Sequence, residues 1–240
     1  MNIQYCSNYE QMSQLAYDSI IADLKIRSEK LICIATGNSP EGIYYKLAHC
    51  YKNKPDYFNE ISIVKLDEWV GIRLKDPISC ETYIRQKILE PLQISNDRFI
   101  SFKSKSISPE KECERVQREI ETKGPIDLCI LGLGRNGHLG FIEPSDSLSA
   151  NCHIAKLSPE SLQHQMIETV INKPRFGLTL GMDSIMQSKK IILLITGTKK
   201  EQTIDNLLKR KITTQLPASF LWMHPHVECY IDSESLLQLK

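Results

Sequence analysis

The chain has 240 residues with nearly balanced charge, 30 basic side chains against 29 acidic, for a net charge of +1. That balance offers nothing to nucleic acid or an anionic membrane, and no apolar run is long enough to span a bilayer. Hydrophobic residues at 41% and charged residues at 25% belong to an ordinary globular protein of one α/β domain's size.

The eight cysteines are scattered, with no Cys-x-x-Cys pair, and Cys33 and Cys129 lie inside apolar runs where cysteine behaves as a small hydrophobe. The start, MNIQYCSNYEQM, is polar and lacks the apolar core of a signal peptide. A reduced, cytoplasmic protein is the expectation.

Ile3 and Tyr5 begin a short predicted strand. Ser7 and Glu10 have capping-box spacing, and Leu15, Ile20, Ile21 and Leu24 continue an amphipathic helix to about Lys25. LICIAT (31–36) reads as a buried strand closed by Gly37-Asn38-Ser39-Pro40, with Ser39 as N-cap and Pro40 opening the next helix. ISIVKL (61–66) is a third strand and runs straight into Asp67-Glu68-Trp69. A helix is expected over 80–92, a strand at RFISF (98–102), and a helix from Ser108-Pro109 to Thr122.

The run Ile126, Leu128, Cys129, Ile130 and Leu131 predicts a strand buried on both faces. Gly132, Gly134, Gly137 and Gly140 follow it within nine residues, so the backbone turns sharply or lets something approach closely. Later strand candidates are NCHIAKL (151–157), FGLTLG (176–181), IILLIT (191–196) and VECYI (227–231). Thr198 and Glu201 form another capping box ahead of a helix through Ile204, Leu207 and Leu208. Strands alternating with helices predict an α/β fold, a mostly parallel sheet with helices on both faces. No repeat or linker divides the chain, so 1–240 reads as a single domain. The less regular 143–190 region is expected to form a lid or a small antiparallel addition.

Three strand ends carry polar groups that could converge. At Gly37-Asn38-Ser39 a helix start could offer free N–H groups to an anion, or could be a plain capped connection. At Thr196-Gly197-Thr198-Lys199-Lys200, two lysines at a helix start oppose the helix dipole. A bound phosphate would account for them better than solvent does. Asp67 and Glu68 follow a buried strand. A carboxylate there can serve as a general base, and of the two Glu68 is the one expected to cap the following turn. Asn136, His138 and Glu143 sit on the Gly-rich loop, where an open α/β sheet keeps its chemistry.

Other motifs lead nowhere. Gly132-Leu133-Gly134-Arg135-Asn136-Gly137 matches Gly-x-Gly-x-x-Gly, but no helix is expected to open after it and Lys156 stands where a ribose-binding acid belongs. His224-x-His226 and Cys152-His153 lack a second ligand pair. There is no P-loop and no Gly-x-Ser-x-Gly elbow. What remains is a phosphate anchor with acid–base groups, no metal and no cofactor. That combination suits proton transfer on a small phosphorylated metabolite such as a sugar phosphate.

The ordered set ATGNSP (35–40), VKLDEWVG (64–71), LGLGRNGHLGFIEP (131–144) and TGTKK (196–200) resembles the glucosamine-6-phosphate deaminase/6-phosphogluconolactonase superfamily over essentially the whole chain. VKLDEWV, CETYI (80–84), DLCILGLGRNGHLG and PASFLWMH (217–224) are most similar to its galactosamine-6-phosphate deaminase/isomerase branch. The resemblance implies an open Rossmann-like sheet and conversion of galactosamine 6-phosphate to tagatose 6-phosphate and ammonia. A glucosamine-6-phosphate deaminase, a phosphogluconolactonase and a non-catalytic sugar-phosphate sensor are the alternatives. The implied partner is a small-molecule sugar phosphate, with a homo-oligomer allowed. By matching position, Asp67 would move a proton between C2 and C1, and His138, oriented by Glu143, would protonate the ring oxygen. Gly37, Asn38, Ser39 and Lys200 would hold the phosphate. Two departures stand out. Many members have Asp-Gly-His where this chain has Asn136-Gly137-His138. The region 163–168 also lacks an arginine that contacts phosphate in glucosamine enzymes, with His164 the nearest substitute.

Overall fold

The computed structural model describes residues 1–73, 75–163, 165–167, 170 and 173–233; His164 lies outside the described residues. In chain order the strands are β1 (Asn2–Cys6), β2 (Leu31–Ile34), β3 (Ser62–Lys65), β4 (Asp67–Trp69) and β5 (Phe99–Ile100), then β6 (Leu128–Gly132), β7 (His153–Lys156), β8 (Phe176–Thr179), β9 (Lys190–Ile195) and β10 (Val227–Asp232). The helices are α1 (Tyr9–Ile26), α2 (Asn38–Asn53), α3 (Cys80–Ile84), α4 (Pro109–Lys123), α5 (Met182–Met186) and α6 (Glu201–Leu208).

Among the described residues, seven strands form one sheet in the order β1-β10-β9-β6-β2-β3-β5, each neighbouring pair parallel. Successive side chains of a strand point to opposite faces, and here both faces are covered. On one face Leu128 and Ile130 of β6 and Ile192 and Leu194 of β9 pack with Met12, Ala16 and Ile20 of α1 and Ile43 and Tyr44 of α2. On the other, Cys129, Leu131, Leu193 and Ile195 pack with Val116 and Ile120 of α4 and Ile204 and Leu207 of α6. Truncating one of these leucines to alanine should cost about 2–5 kcal/mol.

From β2 the order runs one way through β3 to β5. From the neighbouring β6 it runs the other way through β9 to β10. The order reverses between β2 and β6, and in open parallel sheets ligands bind beyond the carboxyl ends of strands at such a point. The second sheet, β4-β8-β7, is antiparallel. It supplies the antiparallel addition expected within 143–190, while its third strand, β4, comes from far upstream. Trp69, Phe141 and Ala155 form a small core against it, the Trp69 and Phe141 rings 4.5 Å apart.

Several local expectations shift. The N-cap of α1 is Asn8 rather than Ser7: its Oδ1 accepts from the Gln11 N–H (2.9 Å), and Gln11 Oε1 accepts from the Ser7 N–H (2.6 Å). Helix α2 begins at Asn38 with Gly37 as N-cap, so Ser39 and Pro40 lie inside its first turn. Helix α6 begins at Glu201, because Lys199 turns the chain with φ of 65° and Lys200 becomes the N-cap. Glu201 reaches back only to the Lys199 N–H (3.2 Å), so neither lysine is inside the helix. The helix expected over 80–92 is α-helical only through Ile84 and continues as a π-turn over Arg85–Leu89.

Candidate active site

A cavity of about 730 Å³ opens over the carboxyl ends of β2, β3, β6 and β9. Its size suits a single small metabolite. Asp67, His138, Gly37, Asn38, Ser39 and Lys200 line it. Asn136 and Glu143 do not, and stand behind His138.

Asp67 owes its position to the seam between the two sheets. The Leu66 N–H donates to the Ile34 carbonyl (3.1 Å), and the Leu66 carbonyl accepts from the Leu180 N–H (2.9 Å). One residue later Asp67 is paired with Thr179 of β8. The carboxylate is 6% exposed, and its buried Oδ1 has no hydrogen-bond partner among the described residues. Burial and then the charge of Glu68 push Asp67 up to about 7, against the opposing pull of Lys65 and Cys80. A carboxyl group poised near neutrality can both take and return a proton.

Glu68 does the opposite job. It turns away from the cavity and accepts from Lys65 Nζ (2.8 Å), the Ser79 hydroxyl (3.0 Å) and the N–H groups of Trp69, Cys80 and Glu81 (2.9, 3.0 and 2.9 Å). Two of those N–H groups open α3, so Glu68 caps the element after its turn, as expected of it.

His138 is held by three neighbours. Asn136 Nδ2 donates to Glu143 Oε2 (3.0 Å) and Ser158 Oγ (3.2 Å), which leaves Asn136 Oδ1 as the acceptor. It accepts the His138 backbone N–H (3.2 Å) and lies 2.8 Å from Nδ1. Nδ1 therefore carries the proton in the neutral ring. Glu143 Oε2 is 3.5 Å from the same nitrogen, and Ser161 Oγ is 3.3 Å from it. Glu143 Oε1 also accepts from the Ser158 N–H (3.1 Å) and the Ser161 hydroxyl. Burial pushes Glu143 up, but His138, Ser161 and Asn136 outweigh it and bring it down to about 2. The imidazole packs so closely that a Cβ on Gly134 would stand 2.4 Å from three of its atoms. Only glycine fits there.

Also lining the cavity, Gly37 turns from β2 into α2 with φ of 100°, a conformation natural to glycine, and as N-cap it offers no side-chain hydrogen bond to the first turn. The positive end of the α2 dipole thus meets the cavity. Two tyrosines brace this loop: Tyr83 donates to the Gly37 carbonyl (2.8 Å) and Tyr9 to the Asn38 carbonyl (2.7 Å). Thr196, Gly197, Thr198 and Lys200 line the same cavity. Thr196 is anchored from below through Asp232 Oδ2 (2.6 Å). Burial, and then the charge of Arg135, pull Lys200 down to about 8.

Residues 8–230 match the family described as glucosamine-6-phosphate isomerases/6-phosphogluconolactonase. The chain belongs to this family. Among its members, "Putative deaminase AgaI" of Escherichia coli (strain K12) is 40% identical over 96% of this chain and 92% of its own length. The glucosamine-6-phosphate deaminase of Geobacillus sp. (strain WCH70) is 35% identical over 98% and 95%. The solved structure of a monomeric glucosamine-6-phosphate deaminase superposes with a TM-score of 0.91 at 32% identity, covering 98% of both chains. A 6-phosphogluconolactonase from Trypanosoma cruzi shares the fold, with a TM-score of 0.80 at 18% identity. The protein is thus an enzyme of the amino-sugar-phosphate deaminase superfamily.

In this family member the Gly-x-Gly-x-x-Gly match opens no helix; the loop closes on itself through the Gly134 N–H to the His138 carbonyl (3.1 Å). His224 is no free ligand either. Its Nε2 donates to the Ser188 carbonyl (2.6 Å), and its Nδ1 accepts the His226 N–H (3.1 Å). Ser158 and Ser161, which grip Glu143, are site residues beyond those expected from the sequence, as are Tyr9, Tyr83 and Arg135. Ser158-Pro159 repeats the Ser-Pro pattern of Ser108-Pro109, the one signal that something local was being capped there. Among the described residues, no helix is long and apolar enough to cross a membrane.

Proposed function

We propose that the enzyme converts galactosamine 6-phosphate and water to tagatose 6-phosphate and ammonia, with 1–240 acting as a single domain. The observation that carries this reading is Asp67, a buried carboxylate with an unpartnered oxygen on the cavity floor, pushed up to about 7. It lines the same cavity as the braced imidazole of His138 and the ammonium of Lys200.

In this reading the 6-phosphate rests against Gly37, Asn38, Ser39 and Lys200. His138, charged and held through Asn136 and Glu143, gives a proton to the ring oxygen, and the sugar opens to its aldehyde. Asp67 removes the C2 proton and returns it to C1, which moves the carbonyl oxidation level from C1 to C2. Water then adds at the C2 imine carbon, and ammonia leaves. A base near neutrality serves both halves of the proton shuttle, since it must be ionised to take the proton and neutral to give it back.

Preference for the galacto epimer is supported by the segments 64–70, 80–84, 127–140 and 217–224, of which the first three reach the cavity through Asp67, Tyr83 and His138. The runner-up is glucosamine 6-phosphate with fructose 6-phosphate as product, favoured by the relatives named for that activity. Ammonia release from both amino-sugar phosphates, measured beside lactone hydrolysis, tests the reading. A higher kcat/KM for the galacto epimer supports it. Preference for the gluco epimer moves the assignment to the runner-up, and lactone hydrolysis without ammonia removes the deaminase altogether.

A further inference from the structure

We propose that Arg135 is the second cation of the phosphate subsite, gripping the substrate phosphate together with Lys200 from the opposite loop; this rests on the cavity being a sugar-phosphate site. Arg135 lies on the Gly-rich loop after β6 and lines the same cavity as Lys200, Thr196, Thr198 and Ser39. Three of the chain's other arginines are committed to neighbours. Arg85 engages Glu81, Arg115 engages Glu112 and Glu119, and Arg98 holds the carbonyls of Phe58, Asn59 and Ile61. The Arg135 guanidinium has no hydrogen bond, ion pair or ring contact among the described residues, and neither has the Lys200 ammonium.

Acids are close by, yet they leave the two cations unpaired. Glu41 is held by Lys87 (2.5 Å), Asp67 lies on the floor, and Glu160 lines the cavity without pairing with either cation. Two like charges bordering one cavity repel, and the charge of Arg135 is felt at Lys200. The arrangement becomes favourable once a dianion sits between them. A phosphate dianion carries the two negative charges that one arginine and one lysine would balance.

The backbone makes the pairing geometrically durable. The Arg135 carbonyl accepts a hydrogen bond from the Thr203 hydroxyl, and Thr203 lies in the first turn of α6, whose N-cap is Lys200. The loop is closed again by the Gly137 N–H to the Gly134 carbonyl (3.0 Å). The two cations are therefore carried on elements tied directly to each other. Lysine supplies a point charge, whereas arginine supplies a planar fork that can take two phosphate oxygens at once.

The test is calorimetric titration of inorganic phosphate into the wild type, Arg135→Gln and Arg135→Lys, beside steady-state ammonia release from galactosamine 6-phosphate and glucosamine 6-phosphate. In Arg135→Gln, phosphate affinity should fall and KM rise by about 10–150-fold, the scale of a hydrogen bond to a charged group. Its kcat should stay within about threefold, because the lost contact binds ground and transition states alike. Arg135→Lys should recover part of the affinity, the charge without the fork. Phosphate affinity and KM within about twofold of wild type in Arg135→Gln would overturn the proposal. If no variant releases ammonia but phosphate affinity still drops in Arg135→Gln, the deaminase reading fails and the role of Arg135 stands. Ammonia release with both phosphate affinity and KM unmoved is the reverse result.

Discussion

Lys65 and Glu68 form an ion pair with side-chain exposures of 0% and 1%, Nζ to Oε2 2.8 Å, and Asp67 lies between them in the chain. The pair holds Glu68 against the start of α3, and Lys65 donates further to the Phe102 carbonyl (3.0 Å). Of two adjacent acids, one is thereby made structural and the other is left facing the cavity unpaired. The Glu68 charge raises Asp67 and the Lys65 charge lowers it, while burial sets the main displacement.

Asp67→Asn should lower kcat by about 10²–10⁴-fold with KM little changed, the range expected for a general base. In the wild type, kcat/KM should fall as pH drops below about 7, where the base of the free enzyme becomes protonated. A loss in kcat under about tenfold would make Asp67 structural.

The same substitution should stabilise the fold above neutrality. An unfolded aspartate releases its proton near pH 3.9, whereas Asp67 holds it to about 7. Between those values the folded state binds more protons than the unfolded one, so stability falls as pH rises through that window. Above it the buried charge costs up to about 4 kcal/mol, and the amide escapes that cost. Thermal melts of wild type and Asp67→Asn at about pH 4.5 and pH 8 should show the variant's advantage only at the higher pH. An equal difference at both would mean that the carboxylate is not the source.

Lys200→Ala should weaken substrate binding by roughly 1.5–3 kcal/mol, about 10–150-fold in affinity. Burial and Arg135 bring Lys200 to about 8, so its charge is present below that pH and lost above it. Wild-type KM should therefore climb above about pH 8, and Lys200→Ala should lack that climb. Free phosphate should protect the wild type from thermal unfolding more than the variant. Equal protection would place the anion elsewhere, with Lys199 the next residue to test.

Much of this was legible in the sequence because buried parallel strands are apolar on both faces and announce themselves. Asp67, His138 and the two helix starts could be found as polar groups at the ends of such runs. The caps were misplaced for a local reason: Ser7–Glu10 and Asn8–Gln11 satisfy the same spacing one residue apart, and only backbone geometry chooses between them. Likewise, nothing local marks Lys199 for a positive φ. Strand β4 escaped because three residues carry no periodicity and its partner β8 lies more than a hundred residues away. Lys65 read as one polar residue in an apolar strand, since its need for a buried partner is visible only once Glu68 folds against it. Arg135 was hidden as an exposed loop residue whose neighbour in space, Lys200, comes from another strand end.

The last prediction concerns Asn136, which the structure makes the bridge between Glu143 and His138. Its Nδ2 donates to Glu143 Oε2 at 3.0 Å, and its Oδ1 lies 2.8 Å from His138 Nδ1. Asn136→Asp removes the donor to Glu143 and sets a second carboxylate against it, so part of the added charge is neutralised by a shared proton. What remains still lies beside the imidazole and favours its charged form. If the charged ring is what opens the sugar, the alkaline limb of the kcat profile should move to higher pH, because that profile reports groups in the substrate complex. Stability should move the other way. Glu143 is held at about 2, so its contribution is present above the ordinary glutamate range and lost as pH falls toward about 2. Losing the amide donor should cost about 1–3 kcal/mol at neutral pH and little near pH 2. A competing arrangement, with the amide contacting the sugar directly, would require Nδ2 to leave both Glu143 and Ser158; it predicts a raised KM with the limb unmoved. Profiles of kcat and KM from about pH 6 to 9 separate the two, and an unmoved limb at unchanged KM sinks both.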